Sequence, residues 1–368
     1  MRISILFSLI VVLLTSCNNK QIKKSEDSGN QVVLRLEATS DNPRNSEGDF
    51  IQLKDGRIFF IYTKFTGGSG DHANAHLVSR YSNDKGKTWS NEDVLVVSNE
   101  GAMNVMSVSL LRLNDGRIAL FYLRKNSTSS CIPYMRISED ETVTWSEPKR
   151  CIDSEGYYVL NNDRVIQLKS GRLLLPVALH APTEKGIHPK ATIYCYYTDN
   201  NGISWTKGPA VENPENITLQ EPGVIELMNG RIMMFCRTDE GVQYISYSKN
   251  KGESWTTIKP GNIISPRSPA SIERIPETGD LLLVWNNNLL TPEDQKRTPF
   301  NLAISKDEGK TWSNIKAVES DPDGWYCYTA IDFIDDFVLL GHCAGNRKLY
   351  NGLETTQITR LSLNWIYN

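Results

Sequence analysis

Two short patterns alternate along this chain at a regular spacing, and they constrain its fold more than any other feature. The first is an apolar strand that ends in a glycine turn and starts again. It reads IQLKDGRIFFIY from Ile51, LRLNDGRIALFY from Leu111, IQLKSGRLLLPV from Ile166 and IELMNGRIMMFC from Ile225, with weaker copies from Glu273 and Ile331. The glycine accepts the positive φ of a tight hairpin, and the flanking Ile, Leu, Val, Phe and Tyr suit a sheet surface. The second is S-x-D-x-G-x-T-W, found at Ser82–Trp89, Ser138–Trp145, Thr198–Trp205, Ser248–Trp255 and Ser305–Trp312. Its Asp or Asn bonds turn amides, its glycine takes the left-handed position, and its Trp covers the hairpin base. In the second copy Thr142 replaces the glycine, which predicts a distorted turn there.

The box tryptophans Trp89, Trp145, Trp205, Trp255 and Trp312 stand 50 to 60 residues apart. A period of that length with two hairpins per unit describes a propeller blade of four strands. Six turn units therefore predict an all-β, six-bladed β-propeller with Asp-box hairpins, spanning residues 31–368. The last unit lacks a box, so strands from both ends, Val32–Ala38 and Gln357–Trp365, are expected to complete it and protect the sheet edges. More blades, or two domains, would need degenerate units or a linker, and no linker interrupts the period. The Asp boxes belong to outer hairpins and are assigned no function.

The start of the chain reads as a targeting segment. Arg2 precedes an apolar run, Ile3–Leu14, too short to span a bilayer, and the run closes on Leu14-Thr15-Ser16-Cys17. That resembles a bacterial lipobox, which predicts a signal peptide over 1–17, lipidation at Cys17 and a polar flexible tether over 18–30. The expected place is the bacterial envelope, on an outer membrane facing the periplasm or the cell surface, with the lipid as the sole membrane contact. A net charge of −3 with interspersed signs argues against nucleic acid as a partner. The six further cysteines form no C-x-x-C pair, and no His/Cys/carboxylate run has ligand spacing, so neither metal nor cofactor is expected. Cys195 and Cys236 read as buried small hydrophobes.

Nine residues before the turn glycines stand Glu47, Ser107, Asn162 and Glu221. Polar groups at the start of four innermost strands point to a polar pocket on the axis. With the boxes and the segments that follow, the chain resembles the sialidase (neuraminidase) superfamily over roughly Arg35–Trp365. Members of that family hold a substrate carboxylate with three arginines, use an Asp on a first-blade loop as acid/base, and attack with a Tyr paired to a Glu. The chemistry explains that choice: guanidinium forks match a carboxylate, and a phenol avoids the like-charge repulsion that a carboxylate nucleophile would meet at that carbon.

Residue by residue, the resemblance makes Glu221 in QEPGVIELMNGR the partner of the tyrosine and Arg237 in MMFCRTDEG an arginine of the clamp. Arg297, beside Lys296, stands for the next arginine. Tyr328 in WYCYTAIDF matches the nucleophile's segment, with Tyr326, expected on the same face, as the competing choice. Asp71 in the loop FTGGSGDHANAH matches the acid/base, kept protonated by a partly dry site, and His72 beside it reads as an ordinary loop histidine. The first arginine departs from the pattern: Ser46 occupies its position, and Glu47 and Asp49 add negative charge. Either the loop is rearranged and Arg44, two residues earlier, still reaches the site as the third arginine of the clamp, which is the expectation adopted, or the carboxylate clamp is changed. Arg164 and Arg267 enter other inner strands. The resemblance implies a monomeric exo-glycosidase acting on a sialic acid or related acidic sugar of glycans. A different glycoside hydrolase or lyase, and a non-catalytic glycan-binding propeller, remain the alternatives.

Overall fold

A computed structural model describes residues 29–184, 186–288 and 296–368. The expected leader 1–17, Cys17 and the tether through Ser28 lie outside the described residues. Asn30 already opens a strand, one residue before the expected boundary.

The chain is all-β, and its described residues are arranged in five sheets. Three of them run through the sequence as antiparallel meanders of four strands: Arg44–Gln52 to Val94–Val97, Gln220–Glu226 to Lys259–Ile264, and Ser271–Arg274 to Ser313–Glu319. Two turn-and-box repeats share a nine-stranded sheet. Strand Tyr157–Val159 joins them, pairing parallel with Ser130–Ser138 and antiparallel with Leu173–Thr183. The fifth sheet unites both ends, because Asn30–Leu36 pairs with Thr356–Ser362, which pairs with Phe337–Asn346. That closing pair was expected, with one correction: the C-terminal strand ends at Ser362, whose hydroxyl caps a short helix Leu363–Tyr367 through Trp365 N.

The first strands of neighbouring repeats pack side by side. Arg44–Gln52 touches both Asn104–Arg112 and Gly324–Ile334, and Ser271–Arg274 touches Gln220–Glu226 and Gly324–Ile334. Carboxylates tie the inner strands together: buried Asp49 accepts from Leu110 N at 2.6 Å, and half-buried Asp163, just before the strand Ile166–Gln167, accepts from Ile331 N at 3.0 Å. Apolar clusters fill the space between successive sheets, as with Phe50, Phe60 and Trp89 against Ala330 and Leu339.

The box turns follow the local chemistry expected of them. Asp84 accepts from Lys87 N, Thr88 N and Thr88 Oγ1 at 3.1, 2.8 and 2.7 Å, and Ser82 Oγ accepts from Gly86 N at 2.9 Å. The expected distortion at Thr142 is absent. Its φ is 75°, against 78°, 79°, 86° and 81° for Gly86, Gly202, Gly252 and Gly309, and its amide still bonds Ser138 Oγ at 2.8 Å. The surrounding bonds force a β-branched residue into the left-handed region instead of rearranging the turn. Thr142→Gly is therefore expected to raise unfolding stability by about 1 kcal/mol in denaturant titration, since relief of that strain exceeds the entropy that glycine adds to the unfolded chain. A lower denaturation midpoint would show that the turn holds no strain.

Candidate active site

The functional side chains are aimed by a repeated backbone device. In the first strands of four repeats, pairing with the next strand slips by a bulge, between Ser46 and Asp49, Met106 and Ser109, Gln220 and Gly223, and Cys327 and Ala330. Each bulge holds a residue with positive φ: Glu47 at 52°, Ser107 at 59°, Glu221 at 45° and Tyr328 at 55°. A bulge turns a side chain out of the strand's alternation, and non-glycine residues in this region commonly mark functional sites. All four side chains line one cavity of about 340 Å³. Asn162 does not. Its amide donates to the carbonyls of Gly48 and Tyr328 beneath the cavity, and neighbouring Asn161 lines it.

The cavity brings together Asp71, Glu221, Tyr328, Arg237 and Arg297. Tyr328 Oη donates to Glu221 Oε1 at 3.2 Å, and Arg237 Nη1 bonds Glu221 Oε2 at 2.6 Å. Burial pushes the Glu221 carboxyl up, but Arg237 and Arg297 prevail and hold it below the usual range, so it is ionised. Burial and then the Glu221 charge push the Tyr328 phenol well up, so it keeps its proton and presents it to Glu221. Arg297 lies 5.3 Å from the Tyr328 ring centroid and 5.0 Å from that of Trp325. Its Nε and Nη1, and Nε of Arg237, are buried without a hydrogen-bond partner. Buried donors of this kind fit an anionic ligand.

Tyr326 is not in the cavity. It stacks on Phe300 at 5.9 Å and meets His342 at 6.2 Å, because the bulge at Tyr328 breaks the alternation that would have put both tyrosines on one face. Lys296, His72, Arg164 and Arg267 do not line the cavity either. Arg164 donates to Ala270 O at 2.7 Å and binds two inner strands together.

Arg44 is buried, with 1% of its side chain exposed, and does not line the cavity. Its Nη1 bonds Asp71 at 2.5 Å and Ser69 O at 3.3 Å, and its Nη2 lies 3.3 Å from both Ser46 Oγ and Glu47 Oε1. Asp71 stands at the cavity mouth with 62% of its side chain exposed. What burial it has raises its pKa, but Arg44 and Lys125 outweigh that and hold the carboxyl below its ordinary value. The expectation of a protonated Asp71 is thus corrected for the ligand-free site: two cations keep it ionised.

Four lining groups were invisible to motif matching. Lys125 is buried, donates to Asp71 O at 2.8 Å and lies 5.5 Å from the Tyr157 ring centroid. His180 is buried, with its Nδ1 bonded to His188 O at 2.8 Å. Both stand nine residues after turn glycines, Gly116 and Gly171, and that shared offset was the available signal. Trp325 and Arg347 have no such register. Glu47, which accepts from Ser107 Oγ, is pushed above the ordinary carboxyl range by burial, against the pull of Arg44.

The six cysteines of the described chain are buried free thiols. Among the described residues no three His, Cys, Asp or Glu side chains are grouped to hold a metal ion. A larger groove of about 800 Å³ runs along the outer strand Lys259–Ile264, but it gathers no carboxylate.

An all-β chain of turn-and-box repeats with a Tyr–Glu–Arg constellation at the converging first strands defines the class. The BNR repeat-like domain family matches residues 65–337, and the chain belongs to that family, within the sialidase superfamily. A sialidase of Clostridium perfringens is 27% identical over 238 residues, a match covering 57% of this chain and 60% of that enzyme's length. The intramolecular trans-sialidase of Ruminococcus gnavus superposes with a TM-score of 0.71 at 14% identity, covering 91% of this chain and 97% of that one. A Dyadobacter fermentans protein of unknown function superposes with a TM-score of 0.72 at 19% identity, covering 91% of this chain and all of that one.

Proposed function

We propose that the chain is an exo-acting glycoside hydrolase that removes a terminal sialic acid or related acidic sugar from glycans, built as a six-bladed propeller. The observation that carries this reading is the Tyr328–Glu221–Arg237 relay inside the cavity, with a neutral phenol bonded to an ionised carboxylate. A packed tyrosine or a mere binding site has no use for a base at the phenol. The side-by-side first strands, and the sheet shared by both chain ends, support the propeller.

In the proposed reaction Tyr328 Oη attacks the anomeric carbon as its proton passes to Glu221, and the bond to the leaving oxygen breaks as that oxygen takes a proton from Asp71. Water then attacks the same carbon, giving its proton to Asp71, and the tyrosyl oxygen leaves, recovering its proton from Glu221. Arg237 and Arg297 hold the acid group. Asp71 gains its proton in the complex, where the sugar covers its exposed side chain and adds negative charge. The same reading sets the protein on a bacterial envelope, anchored through Cys17, where it acts as a monomer on glycans and needs no cofactor.

One observation favours a second reading. Glu47, a carboxyl pushed up by burial, lines the cavity near where the resemblance leads one to expect the first arginine, which suits an acidic sugar other than sialic acid. The test is turnover of an aryl α-sialoside beside aryl glycosides of uronic acids. Release from the sialoside supports the first reading, release from a uronide alone supports the second, and release from neither by folded protein overturns both.

A further inference from the structure

Arg44 cannot serve as the first arm of an acid-binding clamp in this structure, since both its terminal nitrogens are committed to Asp71, Glu47, Ser46 and the Ser69 carbonyl. We propose that Arg347 supplies the third arm and binds the carboxylate of the sugar together with Arg237 and Arg297. The inference rests on the sialic-acid reading of the cavity.

Arg347 follows the strand Phe337–Asn346 and lines the same cavity as the other two arginines. Its guanidinium lies 4.3 Å from the Trp325 ring centroid, on the indole that Arg297 approaches at 5.0 Å. Trp325 thus holds both guanidinium groups against one ring, in the weakly hydrated, stacked state from which arginine binds anions well. The loop that carries Arg347 is fixed in advance. Glu354 accepts from Asn346 N at 2.6 Å and from Gly352 N at 2.9 Å, and Arg347 N donates to Asp323 O at 2.9 Å. Gly352, at a φ of 92°, passes so close that a Cβ would lie 2.6 Å from Trp325 Cγ and 2.7 Å from Arg347 Cδ. Only glycine lets the loop press the guanidinium onto the ring.

The charge balance points the same way. Glu221 neutralises Arg237, and its charge also faces Arg297. Arg347 makes no ion pair among the described residues. Its Nη1 donates to Asn351 O at 2.8 Å, and among the described residues that is the one hydrogen bond of its guanidinium. Its Nε–H and the Nη2–H pair therefore form a fork open to a carboxylate. A guanidinium left unneutralised at the mouth draws in an anion without the cost of breaking an existing pair.

The test is titration calorimetry of the full chain with 2,3-didehydro-2-deoxy-N-acetylneuraminic acid and with its methyl ester. Arg347→Ala should weaken the acid by roughly 10- to 100-fold, the worth of a charge-assisted fork, and should weaken the ester several-fold less. Arg347→Lys should recover only part of the loss, because an ammonium cannot fork. Equal binding of the acid by wild type and Arg347→Ala would overturn the role of Arg347 and leave the sialidase reading standing. Equal losses for acid and ester would overturn it too, leaving Arg347 as packing. A wild-type chain that binds neither compound would overturn the sialic-acid reading itself, and the clamp with it.

Discussion

Tyr328→Phe is expected to lower kcat on an aryl α-sialoside by about 10⁴-fold or more, the loss typical of deleting a covalent nucleophile. The phenol contributes one atom to the reaction, and that atom sits 3.2 Å from an ionised Glu221. The aromatic body stays in place, under Arg297 and on the bulge that aims it, so the change removes chemistry and little packing. Glu221 keeps its bond to Arg237, and the loss of one hydrogen bond should cost about 1 kcal/mol of stability. Glu221→Gln is the companion variant. It leaves a neutral group beside Arg237 and removes the base, so kcat should fall by about 10²- to 10⁴-fold, the contribution of general-base assistance. Initial rates alongside thermal unfolding check both. A folded Tyr328→Phe protein with near wild-type turnover would return Tyr328 to the rank of a packed strand residue and favour a different nucleophile.

The chain disclosed its repeats because they are local. Each turn glycine and each box satisfies its own hairpin, so spacing alone gives the units. Glu221 and Arg237 were legible for the same reason: they belong to one hairpin, in which Gln220 pairs with Arg237. What the sequence hid is non-local or depends on a break in regularity. Alternation puts Tyr326 and Tyr328 on one face, and a bulge written nowhere in that segment separates them. Arg44 looked like a substrate arginine two residues out of place. Its real partners, Asp71 and Glu47, become evident when the loop after Phe65 folds back over it, with the Phe65 ring 4.4 Å from the guanidinium carbon. The ionised state of Asp71 follows from that contact and from Lys125, 54 residues further along. Arg347 carries no motif at all. Its place in the cavity comes from stacking on Trp325 and from the room that Gly352 leaves.

Asp71→Asn should separate substrates by their leaving groups. A sugar leaving group needs the proton, so kcat/KM on a sialylated oligosaccharide should drop by about 10²- to 10⁴-fold, the usual worth of general-acid assistance. A nitrophenolate leaves without help, and kcat/KM for that substrate should fall by no more than about tenfold on the same argument. The second step still lacks its base, so the tyrosyl intermediate should accumulate, visible as a burst of nitrophenolate before a slow steady rate. The pH dependence carries a sign. Arg44 and Lys125 depress the Asp71 carboxyl in the free protein, so its protonated fraction falls as pH rises out of the acid range. The profile of kcat/KM on the oligosaccharide reports the free protein and should decline on that alkaline side. The profile of kcat reports the complex, where the bound acidic sugar raises the same group, so its decline should come at higher pH. In Asp71→Asn the limb should vanish from both. An alkaline limb that survives the substitution, or equal losses on the two leaving groups, would move the acid role to another carboxyl of the cavity, and Glu47, already pushed up by burial, would be the residue to replace next.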